Sequence, residues 1–182
     1  MIAGRLHSRE RVTWTHLYAG LSLLLLGRLR EGEEELETGL AMAEGIGERR
    51  VAMLLLAYLA NAQGMLGDLD KAHATAGTAV ARAEDSKLIY MRTESKRVMG
   101  EILVLQGRLE DGIRQFEEIL EITAGTDARV SRLWAGPPHV DALLAAGRRD
   151  EARTRFDGYA AMVSQCQSPR FSRELDRLRG LF

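Results

Sequence analysis

Gly27, Gly67, Gly107 and Gly147 stand 40 residues apart along the chain, and the residues around each of them recur in kind. A fixed interval of this length marks a stacked array, in which one supersecondary unit is copied along the chain. Seven residues before each glycine stand Gly20, Ala60, Gly100 and Val140; five after stand Gly32, Ala72, Gly112 and Ala152. Two after come Leu29, Leu69 and Leu109, with Arg149 as the exception. Nine after come Leu36, Ala76, Phe116 and Phe156, and twelve after come Gly39, Ala79, Ile119 and Tyr159. Small and apolar residues three and four apart on both sides of each glycine predict a pair of helices. The glycine between them is free to take the left-handed conformation that ends a helix. Inside a helix glycine costs about 1 kcal/mol relative to alanine, so Gly20, Gly32, Gly39, Gly100 and Gly112 imply helix axes in close approach.

The chain therefore reads as all-α, a solenoid of antiparallel helix pairs whose core is a seam between neighbouring hairpins. Nothing in it reads as strand. One domain is expected over residues 1–182, with units at about 8–45, 46–85, 86–125 and 126–167. A capping helix follows over 170–181, because Gly180 occupies the column of Gly100. Gly45, Asp85 and Gly125 mark the ends of second helices, with Glu48, Ser86 and Asp127 near the next helix starts. Pro137-Pro138 falls inside the first helix of the fourth unit. Proline lacks an amide donor and disfavours helix in the residue before it, so a break or kink at Gly136-Pro137 is expected.

Formal net charge is −1, with acidic and basic residues interspersed, so no global field draws the chain to nucleic acid or an anionic membrane. Arg170, Arg173, Arg177 and Arg179 share a helix with Glu174 and Asp176 and read as a solvated face. Residues 13–27 carry no formal charge but are too few to span a bilayer. Arg5, Arg9 and Glu10 stand where a secretory signal needs an apolar run. The single cysteine, Cys166, permits no internal disulfide; a cytoplasmic location is expected.

Catalytic chemistry finds little support. His7, His16, His73 and His139 are too scattered for a ligand pair, and one cysteine cannot complete a zinc cluster. No phosphate-binding glycine loop, nucleophile elbow or metalloprotease motif is present. The chain is expected not to be an enzyme, with no catalytic residue, metal or cofactor.

Met99-Gly100, Leu103, Gly112 and Phe116, together with the turn Gly147-Arg148-Arg149-Asp150-Glu151-Ala152 and Phe156, resemble the tetratricopeptide repeat pattern. The period is 40 rather than 34, the early aromatic is replaced by His16, Leu56, Lys96 or Gly136, and the usual closing proline is absent. A long-period subclass is implied, with an armadillo- or HEAT-like stack as the structural alternative. The step Gly100-Glu101-Ile102-Leu103 also resembles the sensor arrays of large bacterial signalling proteins. The tetratricopeptide resemblance implies a right-handed superhelix whose first helices line a concave, partner-binding face. By register that face carries Trp14, Leu17, Leu21, Asn61, Glu94, Arg97, Glu101, Trp134 and Asp141. A protein or peptide is the implied partner, with no direct nucleic acid and no membrane. The alternative is a small-molecule-binding or enzymatic protein that uses the same groove.

The N-terminal helix carries Trp14, Leu17, Leu21 and Leu23 to Leu26, more apolar surface than one neighbouring hairpin covers. Self-association or docking to an upstream repeat is expected there. Met1-Ile2-Ala3-Gly4 reads as the end of a preceding second helix, with Gly4 as its stop.

Overall fold

The computed structural model describes the backbone of residues 2–182 and the side chains of residues 10–182. Every regular element among them is an α-helix: α1 (Ile2–Leu25), α2 (Leu29–Gly45), α3 (Arg49–Met65), α4 (Leu69–Glu84), α5 (Ile89–Leu105), α6 (Leu109–Thr123), α7 (Arg129–Ala145), α8 (Arg149–Ser164) and α9 (Pro169–Arg179). The chain divides into two compact units, Met1–Val98 and Met99–Phe182, with the division inside α5. Within the first, α1 packs on α2 and α3, and α3 packs on both α2 and α4. Within the second, α7 packs on α6 and α8, and α9 lies against α7 and α8.

The four register glycines all have left-handed backbone, with φ between 74° and 87°. Each turn is closed by the same pair of backbone bonds. Gly27 N–H donates to Leu24 and Arg28 N–H to Leu23, and the bonds of Gly67-Asp68, Gly107-Arg108 and Gly147-Arg148 repeat this pattern at 2.9–3.1 Å. These bonds satisfy carbonyls that the ending helix leaves without partners. At the first joint α2 ends at Gly45, and the left-handed residue is Gly47, two positions on. Glu48 accepts from the Arg50 amide at 3.0 Å, and the Ser86 hydroxyl from the Leu88 amide at 3.1 Å. Glu48 thus caps the start of α3, while Ser86 closes the turn that leads into α5.

The small-residue columns are where helices cross. A Cβ at Gly20 would lie 2.6 Å from Leu36, and one at Gly100 would lie 2.8 Å from the Phe116 ring. At Gly112 it would meet Val104 at 2.7 Å and the Gly100 carbonyl at 2.9 Å. Backbone cannot swing aside as a side chain can. Gly112→Ala is therefore expected to destabilise by about 1–3 kcal/mol through overpacking, read from urea unfolding. Gly158→Ala, with nothing within 4 Å of its Cβ, should instead stabilise by up to about 1 kcal/mol. Equal behaviour of the two variants would rule out close packing as the reason for the glycine column.

Leu17, Leu24, Leu36, Val51, Leu55 and Leu59 belong to the buried core of the first unit; Phe116, Ile119, Leu133, Val140, Phe156 and Tyr159 belong to that of the second. On α1, Leu24 is buried while Leu25 and Leu26 are exposed beside the turn.

Two expectations are corrected. Helix α7 runs unbroken through Pro137 and Pro138. The steric conflict that proline imposes on its predecessor involves that residue's Cβ, which Gly136 lacks. Buried Leu133, Val140 and Leu143 hold the helix on both sides, so the cost is confined to the bonds that two prolines cannot donate. Gly4, likewise, is not a stop, since α1 continues through it.

Candidate functional site

In the first unit, the first helix of each pair contributes a short row of side chains spaced three and four apart, the interval that keeps residues on one helix face. The rows are Trp14, Tyr18 and Leu21 on α1, Tyr58 and Asn61 on α3, and Tyr90, Glu94 and Arg97 on α5. Trp14 stacks on Tyr18 with ring centroids 6.0 Å apart and planes 26° apart. The Tyr58 and Tyr90 hydroxyls lie 3.5 Å apart, joining α3 to α5. Tyr18 is exposed, whereas Trp14 and Leu21 are half-buried and packed against the core.

Glu94 and Arg97 close on each other as a two-pronged ion pair, with Arg97 Nε donating to Oε2 at 3.1 Å and Nη2 to Oε1 at 2.5 Å. Register projects the pair from an open face. The structure corrects this: Glu94 is 4% exposed and Arg97 8%. Their spacing lets them satisfy each other on one helix, and a satisfied pair tolerates burial that a lone charge does not. Leu17, also placed on the open face by register, is 2% exposed and belongs to the core. Burial, and then the Glu94 charge, push the Tyr58 and Tyr90 phenols above their ordinary range. Both remain neutral hydrogen-bonding groups at physiological pH.

In the second unit the register residues meet α9. The Trp134 ring stands edge-on to Phe171 at 5.6 Å, with the Arg170 guanidinium 4.2 Å from its centroid. Asp141 accepts from Arg177 at 2.7 and 3.1 Å. Glu101 is half-buried. Trp134 and Asp141 thus anchor the terminal helix.

Tyr18, Tyr58 and Tyr90 were missed by sequence reasoning. For two of them a signal was present: Tyr18 and Tyr58 each stand nine residues before a turn glycine. Tyr90 has no such partner in the register.

His139 on α7 is 3% exposed and lies 5.6 Å from the Phe116 ring. Burial, followed by the charges of Arg155 and Arg148, pushes its imidazole down to about 4. A folded-state value below the unfolded one means that the unfolded chain binds the proton first. Stability from this group is complete above its ordinary value near 6.5 and is lost as pH falls toward about 4. Urea midpoints should decline across that window, and His139→Gln should flatten the decline. An unchanged slope in the variant would exclude His139 as its source.

Among the described residues no group of three or more His, Cys, Asp or Glu is placed to hold a metal ion, and no helix is long and apolar enough to cross a membrane. Residues 53–78 and 139–157 match the tetratricopeptide repeat family, and each segment straddles a turn glycine in the same register. The chain is similar in fold to the nearly identical tetratricopeptide-like repeats of a kinesin light chain-type protein from Podosopora anserina. In one structure the identity is 19%, covering 85% of this chain and 76% of that one, with a TM-score of 0.63. In the structure of a single-substitution form of the same repeats the identity is 19%, the coverage 93% and 85%, and the TM-score 0.71. No curated protein matches the chain. The fold is thus an all-α, tetratricopeptide-like array of helix pairs.

Proposed function

We propose that the chain is a protein-interaction module and that the first-helix face of its first unit docks a peptide through Trp14, Tyr18, Tyr58 and Tyr90. The observation that carries this is the aromatic and hydroxyl surface laid over a buried, internally neutralised ion pair. Tyrosine and tryptophan offer large, rigid contact area with a polar edge, and they dominate recognition surfaces for that reason. Because Glu94 is already paired with Arg97, affinity comes from aromatic burial and phenol hydrogen bonds more than from charge. Asn61, half-buried beside Tyr58 on α3, would serve the backbone of an extended ligand. Folds of this kind generally serve as interaction scaffolds. The resemblance of the Gly100-to-Leu103 step to bacterial sensor arrays supports the finer reading, a cytoplasmic sensing arm of a larger regulator.

Panning a phage-displayed peptide library on the full chain tests the proposal. Enriched peptides should bind at least tenfold more weakly to Tyr18→Ser and to Tyr90→Ser, both substitutions of exposed side chains. The thermal midpoints of these variants should stay close to the parent's. Peptides that bind the variants as well as the parent, or no enrichment at all, would refute the assignment.

A further inference from the structure

A second concave site lies in the second unit, on the other side of α7. At about 100° per residue, Arg129, Arg132, Gly136 and His139 share one face of that helix, opposite the face that gives Trp134 and Asp141 to α9. They floor a groove of about 420 Å³ walled by Leu120 of α6 and by Arg155, Tyr159 and Met162 of α8. That volume suits a small organic molecule. None of the residues lining it is a carboxylate.

Its hydrogen-bonding capacity is unspent. Arg132 Nε and His139 Nε2 are buried with no partner, although Arg132 Nη2 donates to the Thr126 carbonyl at 3.2 Å. A buried polar group left in that state forfeits a hydrogen bond that it would make in water. Arg129 and Arg155 are in no ion pair among the described residues. The nearby Glu151 is held by Arg148 at 2.7 and 2.8 Å, and Asp127 precedes the helix without lining the groove.

The first unit supplies an internal comparison. Eighty residues earlier in register, the groove among α2, α3 and α4 is lined by Glu44, Glu48 and Asp85 along with Arg49 and Arg82, and Arg82 donates to Glu44 at 2.8 Å. In the second unit those three acids become Ala124, Ala128 and Gln165, while Arg49 keeps its counterpart in Arg129. Ala52, Thr75 and Leu59 become Arg132, Arg155 and His139. One architecture thus carries three acids against two arginines in one unit, and three arginines with no acid in the other.

We infer that the α6–α7–α8 groove binds a small organic oxyanion, a phosphate monoester or a carboxylate on an apolar body. The arginines would neutralise the head group, and His139 Nε2, when it carries the ring hydrogen, would donate to it. Leu120, Met162 and the Tyr159 ring would cover the apolar part. Arginine presents a planar fork of donors matched to such head groups.

Calorimetric titration of the full chain with phenyl phosphate, benzoate and inorganic phosphate tests this. One organic probe should bind, inorganic phosphate at least tenfold more weakly, and the tighter of the two organic probes identifies the head group. Affinity should fall at least tenfold in Arg132→Gln and Arg155→Gln and stay unchanged in Arg49→Gln. Should either arginine variant fail to fold, Gln165→Asp restores the acid found in the first unit, leaves the arginines in place, and should also abolish binding. The inference is overturned if neither organic probe binds at millimolar concentration, or if inorganic phosphate binds equally well. An equal loss in Arg49→Gln would also overturn it. So would binding of a decaglutamate peptide with the same arginine dependence when the small probes do not bind, since the groove would then serve a macromolecule.

Discussion

Arg97→Ala lowers the unfolding free energy by about 3–5 kcal/mol, the cost of stranding one partner of a buried ion pair. Arg97 is held on two carboxylate oxygens, with both side chains almost wholly enclosed. Removing the guanidinium leaves Glu94 charged beside the Tyr58 and Tyr90 phenols, in a setting that has already raised both phenols. Replacing both charges together behaves differently. Arg97→Met with Glu94→Leu should recover most of the loss, because two apolar residues of similar volume need no counter-charge. Urea unfolding of the parent, the single variant and the double variant measures this directly. A single variant within about 0.5 kcal/mol of the parent, the range usual for surface positions, would mean that the pair is not buried in solution.

Phe116→Ala should cost a comparable 3–5 kcal/mol, roughly. The ring is fully buried among Ile113, Ile119, Leu133 and Tyr159, and it fills the space that the missing side chain of Gly100 leaves on α5. Volume is thus shared between one large and one absent side chain, as in Gly20 with Leu36. The sharing makes a compensating variant possible. Adding Gly100→Val to Phe116→Ala should return part of the loss by refilling the cavity, whereas Gly100→Val alone should destabilise. If the double variant is no more stable than Phe116→Ala, the two positions do not share the same space.

The turns, the helix pairs and the close crossings were legible in the residues themselves, for local reasons. A left-handed turn strongly favours glycine, so Gly27, Gly67, Gly107 and Gly147 announce their conformation. A 40-residue register also keeps Gly20 opposite Gly32 and Gly100 opposite Gly112. What escaped depended on neighbours that register does not rank. Projection places Glu94 and Arg97 on the first-helix face, yet their enclosure follows from how that face packs and from the pair's own closure. Pro137-Pro138 reads locally as a break, but packing on both sides and the bare Gly136 keep α7 helical. Trp134 and Asp141 fall on a binding face by register alone, which carries no sign that α9 reaches them. The basic groove left a trace in the register, the exchange of Glu44, Glu48 and Asp85 for Ala124, Ala128 and Gln165. That trace acquires meaning only once α6, α7 and α8 are seen to share a cleft.

The identical closure of the four turns bears on how such a chain changes length. Each glycine and the amide after it bond only to carbonyls of the helix just ended, so a turn draws nothing from the hairpin before its own. Unequal genetic exchange between neighbouring turn codons would delete or duplicate one 40-residue segment while every local backbone bond at the junction re-formed. Repeat number is then cheap to alter. The residues on the faces, which no turn constrains, are left to diverge into separate specificities.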